Sequence, residues 1–193
     1  MYFAKGAFKL FSVVLMFFYS SLVFADGTPS YPNMVKDLIK GKTALSGQEL
    51  LQLPEEAYPY LSRHLEREPN TIRFVEVPTI KQFSAQQDFL VNYILTGLWR
   101  STQIHTLALP AMTDGNYQSL SRLIRDNKNI KKIQLSGRLK RQDFFALRRA
   151  VQRNRSLAVI DISRCRYNVD EFGGREKLQH YFARYNDDLK IVL

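Results

Sequence analysis

Residues 157–162 read Leu-Ala-Val-Ile-Asp-Ile, with apolar side chains at the first, fourth and sixth positions. From the fourth to the sixth position, apolar side chains alternate with a polar one, which is typical of a strand with one buried face. The same spacing begins at five places, which lie 26–32 residues apart: Ile72, Ile104, Ile130, Leu157 and Leu189. An asparagine precedes each of the last three by three residues: Asn127, Asn154 and Asn186. A period of this length indicates a repeat of one small supersecondary unit.

The stretches between these strands carry apolar residues at helical spacing. In 114–125, for example, Tyr117, Leu120 and Leu123 share one face. The predicted strands are 72–77, 104–109, 130–135, 157–162 and 189–192, and the predicted helices are 85–99, 114–126, 140–153 and 169–184. An earlier apolar stretch over 50–66 contains Pro54 and Pro59, which we expect to divide it. Strands alternating with helices predict an α/β protein with a parallel sheet.

The repeat resembles the leucine-rich-repeat family, whose motif is L-x-x-L-x-L-x-x-N/C-x-L, in its ribonuclease-inhibitor-like form. The stretch from Leu157 to Tyr167 matches best and has Cys165 at the Asn/Cys position. The other units depart from the motif there, with Ile80, Met112 and Arg138. The resemblance covers about residues 48–193 and implies a solenoid with a curved parallel sheet on the concave side and helices on the convex side. It implies a leucine-rich-repeat domain over 68–193 and an N-terminal helical cap over 26–67.

Strand alternation also predicts which residues face solvent. We expect eight residues to be buried: Val75, Val77, Leu107, Leu109, Ile133, Leu135, Ile160 and Ile162. Their neighbours would point to the concave face: Phe74, Glu76, Thr106, Ala108, Lys132, Gln134, Val159, Asp161, Ile191 and Leu193. Exposed apolar side chains such as Phe74 and Val159 are candidate anchors for a protein partner. The alternative is that they contact a flanking cap or loop.

Positive charge is concentrated in one part of the chain. The whole sequence has a formal net charge of +10. Residues 128–166 contain twelve Lys and Arg against Asp143 and Asp161, which equals that whole excess. Arg141, Arg148 and Arg155 are spaced by seven, so they are predicted to form one line on a helix. Such a line could bind an acidic protein or an anionic membrane surface, and the alternative is a solvated helix face without a ligand. Nucleic acid is disfavoured because few aromatic residues alternate with the basic ones.

The first 25 residues have the layout of a secretory signal peptide. Lys5 and Lys9 precede an apolar run, and Val23-Phe24-Ala25 ends the segment with small or medium side chains at the positions that a signal peptidase reads. We therefore predict cleavage after Ala25 and a secreted or periplasmic protein. The alternative is a retained membrane anchor, although the apolar stretch is shorter than the ~20 residues that span a bilayer.

Composition excludes several kinds of chemistry. One Cys rules out an intrachain disulfide framework, and the three dispersed residues His64, His105 and His180 give little support for a metal site. No nucleophile–base arrangement and no phosphate-binding loop is present, so neither catalytic residues nor a cofactor is expected. The repeat register places Cys165 inside a turn as a small buried thiol. The alternative is a reactive thiol activated by Arg164 and Arg166.

These observations favour a monomeric, non-catalytic protein-binding module without a small-molecule substrate. It would dock or inhibit another, acidic protein through the concave face, as similar short bacterial effectors and inhibitors do. The predicted binding residues are Phe74, Glu76, Thr106, Lys132, Gln134, Val159, Asp161, Arg141, Arg148 and Arg155. One alternative is a basic protein that binds the membrane or envelope surface. Another is an F-box-like adaptor, because the sequence 51–61 faintly resembles the opening of an F-box.

Overall fold

Strands alternate with helices along the whole described part of the chain in the computed structural model. It describes residues 30–67, 71–79, 84–184, 186 and 188–193. The strands are β1 (Ala44–Leu45), β2 (Phe74–Glu76), β3 (Thr106–Leu109), β4 (Lys132–Arg138), β5 (Val159–Arg166) and β6 (Lys190–Val192). The α-helices are α1 (Tyr31–Ile39), α2 (Gly47–Leu50), α3 (Tyr58–Arg67), α4 (Ser84–Leu98), α5 (Asp114–Asp126), α6 (Arg141–Val151) and α7 (Arg175–Ala183). Short 3₁₀ turns occupy Glu55–Ala57 and Asp170–Phe172.

The strands form one sheet in which spatial order equals sequence order. Each of the five neighbouring pairs is parallel. Parallel neighbours need a crossover between them, and the helices supply it. The prediction of an α/β protein with a parallel sheet is confirmed.

One face of the sheet forms the core. All eight residues that were expected to be buried are at most 4% exposed, from Val75 in β2 to Ile162 in β5. Apolar residues of the helices cover them, including Leu120 in α5 and Phe144 in α6. The first apolar residue of each unit is buried as well. The apolar spacing in the sequence therefore predicts the inward side of β2, β3, β4 and β5 correctly.

Three buried asparagines join consecutive units by hydrogen bonds, and we call them the asparagine ladder (Asn127, Asn154 and Asn186). Asn127 Nδ2 donates to the carbonyl oxygens of Leu98 (2.7 Å) and Ser101 (3.0 Å). Asn154 Nδ2 donates to the carbonyl oxygens of Ile124 and Asn127, the latter at 2.8 Å.

The third step of the asparagine ladder repeats this arrangement. Asn186 Nδ2 donates to the carbonyl oxygens of Leu157 (3.0 Å) and Asn154 (3.5 Å). Each side-chain oxygen accepts an amide proton two residues further on, from Asn129, Ser156 and Asp188 respectively. Buried carbonyl groups at helix ends are thereby satisfied by a side chain of the following unit.

Helices α3 and α4 approach closely because Gly97 has no side chain. A Cβ atom at Gly97 would lie 2.5 Å from the carbonyl oxygen of Ser62 and 2.8 Å from its Cα. Distances below 3.0 Å to backbone atoms cannot be relieved by a rotamer change. Gly97 is therefore required by packing, and not by its backbone conformation.

The amino-terminal part contains a strand that the sequence analysis did not predict. β1 has two residues and pairs with β2 through Ala44–Phe74 and Leu45–Val75. The following helix α2 begins at a capping box, where Glu49 accepts from the Ser46 amide (2.8 Å) and Ser46 Oγ accepts from the Glu49 amide (3.4 Å). The two prolines divide the stretch after α2 as expected, since a 3₁₀ turn follows Pro54 and α3 contains Pro59 in its first turn.

The last predicted helix, 169–184, is wrong over its first third. α7 begins only at Arg175, because Gly173 and Gly174 adopt positive φ angles of 72° and 109°. Such angles are easily reached by glycine and interrupt a right-handed helix. β4 and β5 also continue beyond their predicted ends, with a register shift between Gln134 and Ser136.

Two expectations concern residues outside the described ranges. The signal peptide over 1–25, with its cleavage after Ala25, lies entirely there, and so does Ile80. Among the helices of the described residues, none has the length and apolar character required to cross a bilayer.

Candidate protein-binding face

The sheet side opposite the core carries two rows of side chains whose positions follow from strand register, and we call this side the open face. The first row runs through the paired positions Phe74, Thr106, Lys132 and Val159. The second runs through Glu76, Ala108, Gln134 and Asp161. All eight side chains are half-buried. The structure therefore brings together the seven strand residues that the sequence predicted as binding residues.

Apolar side chains stand at both sides of the first row. Phe74 belongs to β2 and Val159 to β5, so three strand spacings separate them, which is about 14 Å. Thr106 and Lys132 lie between them. A rigid sheet thus holds two apolar groups at a fixed separation across a polar centre.

Asp161 is the electrostatic centre of the second row. Its Oδ1 accepts from the Ser163 amide (3.1 Å) and hydroxyl (2.6 Å), and its Oδ2 accepts from Gln134 Nε2 (3.3 Å). Lys132 Nζ lies 3.8 Å from the same Oδ2. Partial burial alone would raise the pKa of Asp161, but the hydrogen bonds from Ser163 and Gln134 and the charge of Lys132 outweigh it and hold the pKa below its usual value. Asp161 is therefore a carboxylate whose charge Lys132 partly balances.

The expected outward position of Ile191 and Leu193 is wrong for Ile191. β6 pairs Lys190 with Val159 and Val192 with Asp161, so these two residues continue the rows. Ile191 pairs with Ile160 and is buried. Leu189 and Ile191 are inward because they are two residues apart in an extended segment, with Lys190 between them on the opposite side. The spacing from the first apolar residue is one residue shorter here than from Leu157 to Ile160.

The three arginines spaced by seven do not form one helical line. α6 contains Arg141 and Arg148 but ends at Val151, so Arg155 lies in the following turn. Arg148 is half-buried, and its guanidinium carbon lies 4.3 Å from the ring centroid of Tyr181 in α7. The guanidinium of Arg141 lies 5.6 Å from the ring centroid of Phe145. Arg148 thus joins two helices by a cation–π contact and is only partly available to a ligand.

Cys165 lies in β5, opposite Gly137 of β4, and not in a turn. It is half-buried, so the expected burial is correct only in part. Burial, with the charge of Asp161 adding to it, raises the pKa of the thiol to about 12. A thiol with such a pKa is protonated at neutral pH and is a poor nucleophile. The flanking Arg164 and Arg166 do not activate it.

Two buried polar side chains lie near the beginnings of α5 and α6, Tyr117 and Asp143. Burial, followed by the charges of Asp143, Cys165 and Asp114, raises the pKa of Tyr117. Burial also raises the pKa of Asp143, against the effect of the hydrogen bond that its Oδ2 accepts from the Lys140 amide (2.7 Å). Within the described residues, no three His, Cys, Asp or Glu side chains come together in a way that could hold a metal ion.

A groove between α5 and α6 was not anticipated from the sequence. It has a volume of about 550 Å³ and is lined by arginines from both sides: Arg122, Arg125, Arg149 and Arg153. Their spacing on each side, three and four residues, was a signal for a shared helix face. The sequence analysis followed the spacing of seven instead, which selected other arginines.

Comparison with known proteins adds no family to these observations. No protein-family model, no curated protein and no solved structure matches the chain.

Proposed function

We propose that this protein is a non-catalytic binding module that docks another protein on its open face. The observation that carries the proposal is the alignment of seven half-buried residues, predicted independently from the sequence, in two rows on one side of a parallel sheet. Half-buried side chains on a sheet lose little conformational freedom when a partner covers them, because packing already restricts them. The open face would therefore act as a preformed surface.

The two rows suggest how a partner is held. Phe74 and Val159 would each be covered by apolar groups of the partner, and a few such buried anchors supply most of the binding energy in many interfaces. Between these two apolar groups, Asp161 with its hydrogen-bonded partner Gln134 and its ion-pair partner Lys132 would give polar complementarity. Glu76 and Thr106 complete the contact area beside Phe74.

We propose further that the sheet and helices form a leucine-rich-repeat solenoid. The supports are the sequential order of the six parallel strands, the regular helix in each crossover and the asparagine ladder. Stacked units of this kind present an extended surface and place no pocket at a single catalytic centre. In the proposed solenoid, the open face would be the concave side.

The proposed setting is outside the cytoplasm. Its support is the basic and then apolar leader over 1–25, which is typical of a cleaved signal peptide. There the module would cover a functional surface of its target, in the manner of an effector or of a protein that regulates one.

The proposal is tested by comparing two matched variants of the full chain. Phe74→Ala removes an aromatic ring from the open face, and Phe89→Ala removes one from α4, where Phe89 is 52% exposed. A partner recovered by affinity capture is then measured against both variants by biolayer interferometry. Loss of a buried aromatic anchor costs ~2 kcal/mol, which corresponds to a roughly 30-fold weaker Kd.

We expect that weakening for Phe74→Ala, mainly through faster dissociation, and no change for Phe89→Ala. Equal binding by Phe74→Ala, Val159→Ala and the unchanged chain would refute docking on the open face. Turnover of a substrate by the pure protein would refute the non-catalytic part of the proposal.

A further inference from the structure

The groove between α5 and α6 has the features of a second binding surface, separate from the open face. We call it the arginine groove, and its walls are Arg122 and Arg125 from α5, with Arg149 and the adjacent Arg153 on the other side. Along α5 the lining runs from Gln118 to Arg125, which is about 10 Å. That length accommodates about three residues of an extended chain.

The lining of the arginine groove contains no acidic side chain. Arg125 forms a two-pronged contact with Asp126, at 2.7 Å and 2.9 Å, which offsets one of the four charges. Lys128 adds another positive charge near the end of the groove, where its Nζ donates to the carbonyl oxygens of Arg125 (2.7 Å) and Arg153 (3.0 Å). The groove therefore keeps a clear excess of positive charge.

Helix ends explain only part of this arrangement. Basic residues in the last turn of a helix are stabilised by the helix dipole, and Arg125 and Arg149 occupy such positions. The dipole does not require that arginines of two helices face each other across a gap. Arg122 and Arg149 are exposed, so their mutual repulsion is tolerated without a covering protein group in the described part of the chain.

The floor of the arginine groove is short and uncharged. Ala146 and Ala150 of α6 leave space between the walls, and Ser121 directs its hydroxyl to the Tyr117 carbonyl oxygen (2.8 Å). A guanidinium fork binds a carboxylate through two parallel hydrogen bonds. Several guanidinium groups spread along two turns of helix can each bind a carboxylate, so the groove suits a short run of carboxylates better than it suits a single anion.

We infer that the arginine groove binds an acidic segment of a protein partner, with Asp or Glu side chains between the two helices. The lining residues include no aromatic ring on which nucleic-acid bases could stack. The groove is recessed between helices, whereas a membrane surface would contact protruding groups first. An acidic protein segment is therefore the occupant that charge and shape together favour. This inference does not depend on the open face.

The test uses the full chain and a fluorescein-labelled oligoglutamate peptide, with binding followed by fluorescence anisotropy. The groove variant is the double substitution Arg122→Glu and Arg149→Glu, which leaves the Arg125–Asp126 pair in place. The matched control is Arg63→Glu with Arg175→Glu, which alters the net charge equally at two exposed positions outside the groove. Thermal melts establish that both variants are folded. If the reversal unfolds the protein, Arg122→Gln with Arg149→Gln replaces it.

Each exposed ionic contact is worth a factor of about 1.5 to 5 in affinity. We expect the groove variant to weaken oligoglutamate binding about tenfold or more at low ionic strength, and the control to weaken it less than about threefold because distant charges are screened. Equal losses in both double variants would overturn the inference, since binding would then follow net charge alone. Absence of oligoglutamate binding would also overturn the inference, and binding of duplex DNA or phosphatidylserine vesicles that the groove variant abolishes would assign the groove to those ligands instead.

Discussion

Replacing Asn154 by alanine should show how much the asparagine ladder contributes to stability. The side chain is 1% exposed and donates to the carbonyl oxygens of Ile124 and Asn127, while its Oδ1 accepts from the Ser156 amide (2.7 Å). Asn154→Ala leaves two buried carbonyl groups at the end of α5 without this donor. An unsatisfied buried group costs ~1–3 kcal/mol, and the half-buried Ser156 amide can reach water. We therefore expect a loss of about 2–4 kcal/mol from the free energy of unfolding, a large share of the ~5–15 kcal/mol that is usual for a domain.

Urea denaturation followed by circular dichroism measures this loss. The matched control is Asn92→Ala, because Asn92 is exposed on α4 and the substitution should change stability by less than ~0.5 kcal/mol. A second variant, Asn154→Asp, keeps the size and the acceptor but turns the donor into a carboxylate at neutral pH.

The substituted carboxyl would face two carbonyl oxygens, so its folded-state pKa should be raised. Its penalty should therefore be small below its unfolded pKa of ~3.9 and grow as the pH rises above it. If Asn154→Ala were as stable as Asn92→Ala, or if Asn154→Asp showed no such pH dependence, the reasoning about the asparagine ladder would be refuted.

Three further predictions concern other parts of the fold. Gly97→Ala should lower the melting temperature, because the added Cβ would press on the Ser62 backbone at a cost above the ~1 kcal/mol gained from helix propensity. Gly115→Ala in α5 is the matched control, and it should leave the melting temperature unchanged or raise it because nothing lies within 4 Å of the added Cβ. The Cys165 thiol, with its pKa of about 12, should react with a thiol-specific reagent at pH 8 far more slowly in the native protein than in urea. Fast labelling of the native protein would contradict the burial of this thiol. Because the folded-state pKa is raised, the contribution of the protonated thiol to stability should be present below about pH 9 and should decline above it. The hydrogen bond from Lys42 and those from Ser46 lower the pKa of Glu49 from 4.5 to about 2. Glu49→Gln should therefore destabilise the protein at pH 6 and progressively less as the pH falls from 4.5 towards 2. A stability difference between the variant and the unchanged protein that stays constant across that range would contradict the assignment.

The strands and their inward residues could be predicted because their information is local. Alternation with a period of two reports burial within a single short segment, and it located Val75 and Ile162 on the buried face. The helix over 114–126 was predicted with its observed bounds, because its apolar residues recur at helical spacing between clear ends.

Features that depend on distant or very short segments could not be predicted in the same way. β1 has only two residues, which is too short for a periodic signal, and its pairing with β2 defines it. Arg148 looked like an exposed member of a basic line, but its position is set by Tyr181, which lies 33 residues later in the sequence. The interruption at Gly173 and Gly174 was visible as a glycine pair, yet the apolar residues around it fitted one continuous helix.

The same difference separates the two candidate surfaces, since the open face could be predicted from the sequence and the arginine groove could not. Strand parity alone placed Phe74 and Asp161 on one face, and the structure agrees. The arginine groove depends on which sides of α5 and α6 face each other, and helical spacing within one segment does not report that.

The asparagine ladder has a direction, and this direction links the fold to the order in which the chain is made. Each side chain donates to carbonyl groups that lie 26–32 residues earlier in the sequence. A ribosome releases the amino-terminal residues first. The turn that contains the Asn127 carbonyl therefore leaves the ribosome incomplete and closes only when Asn154 has emerged, so folding follows synthesis with a delay of one unit. A chain stopped before Asn186 would keep the carbonyls of Asn154 and Leu157 open, whereas removal of residues from the amino end takes no donor of the asparagine ladder away from a later turn.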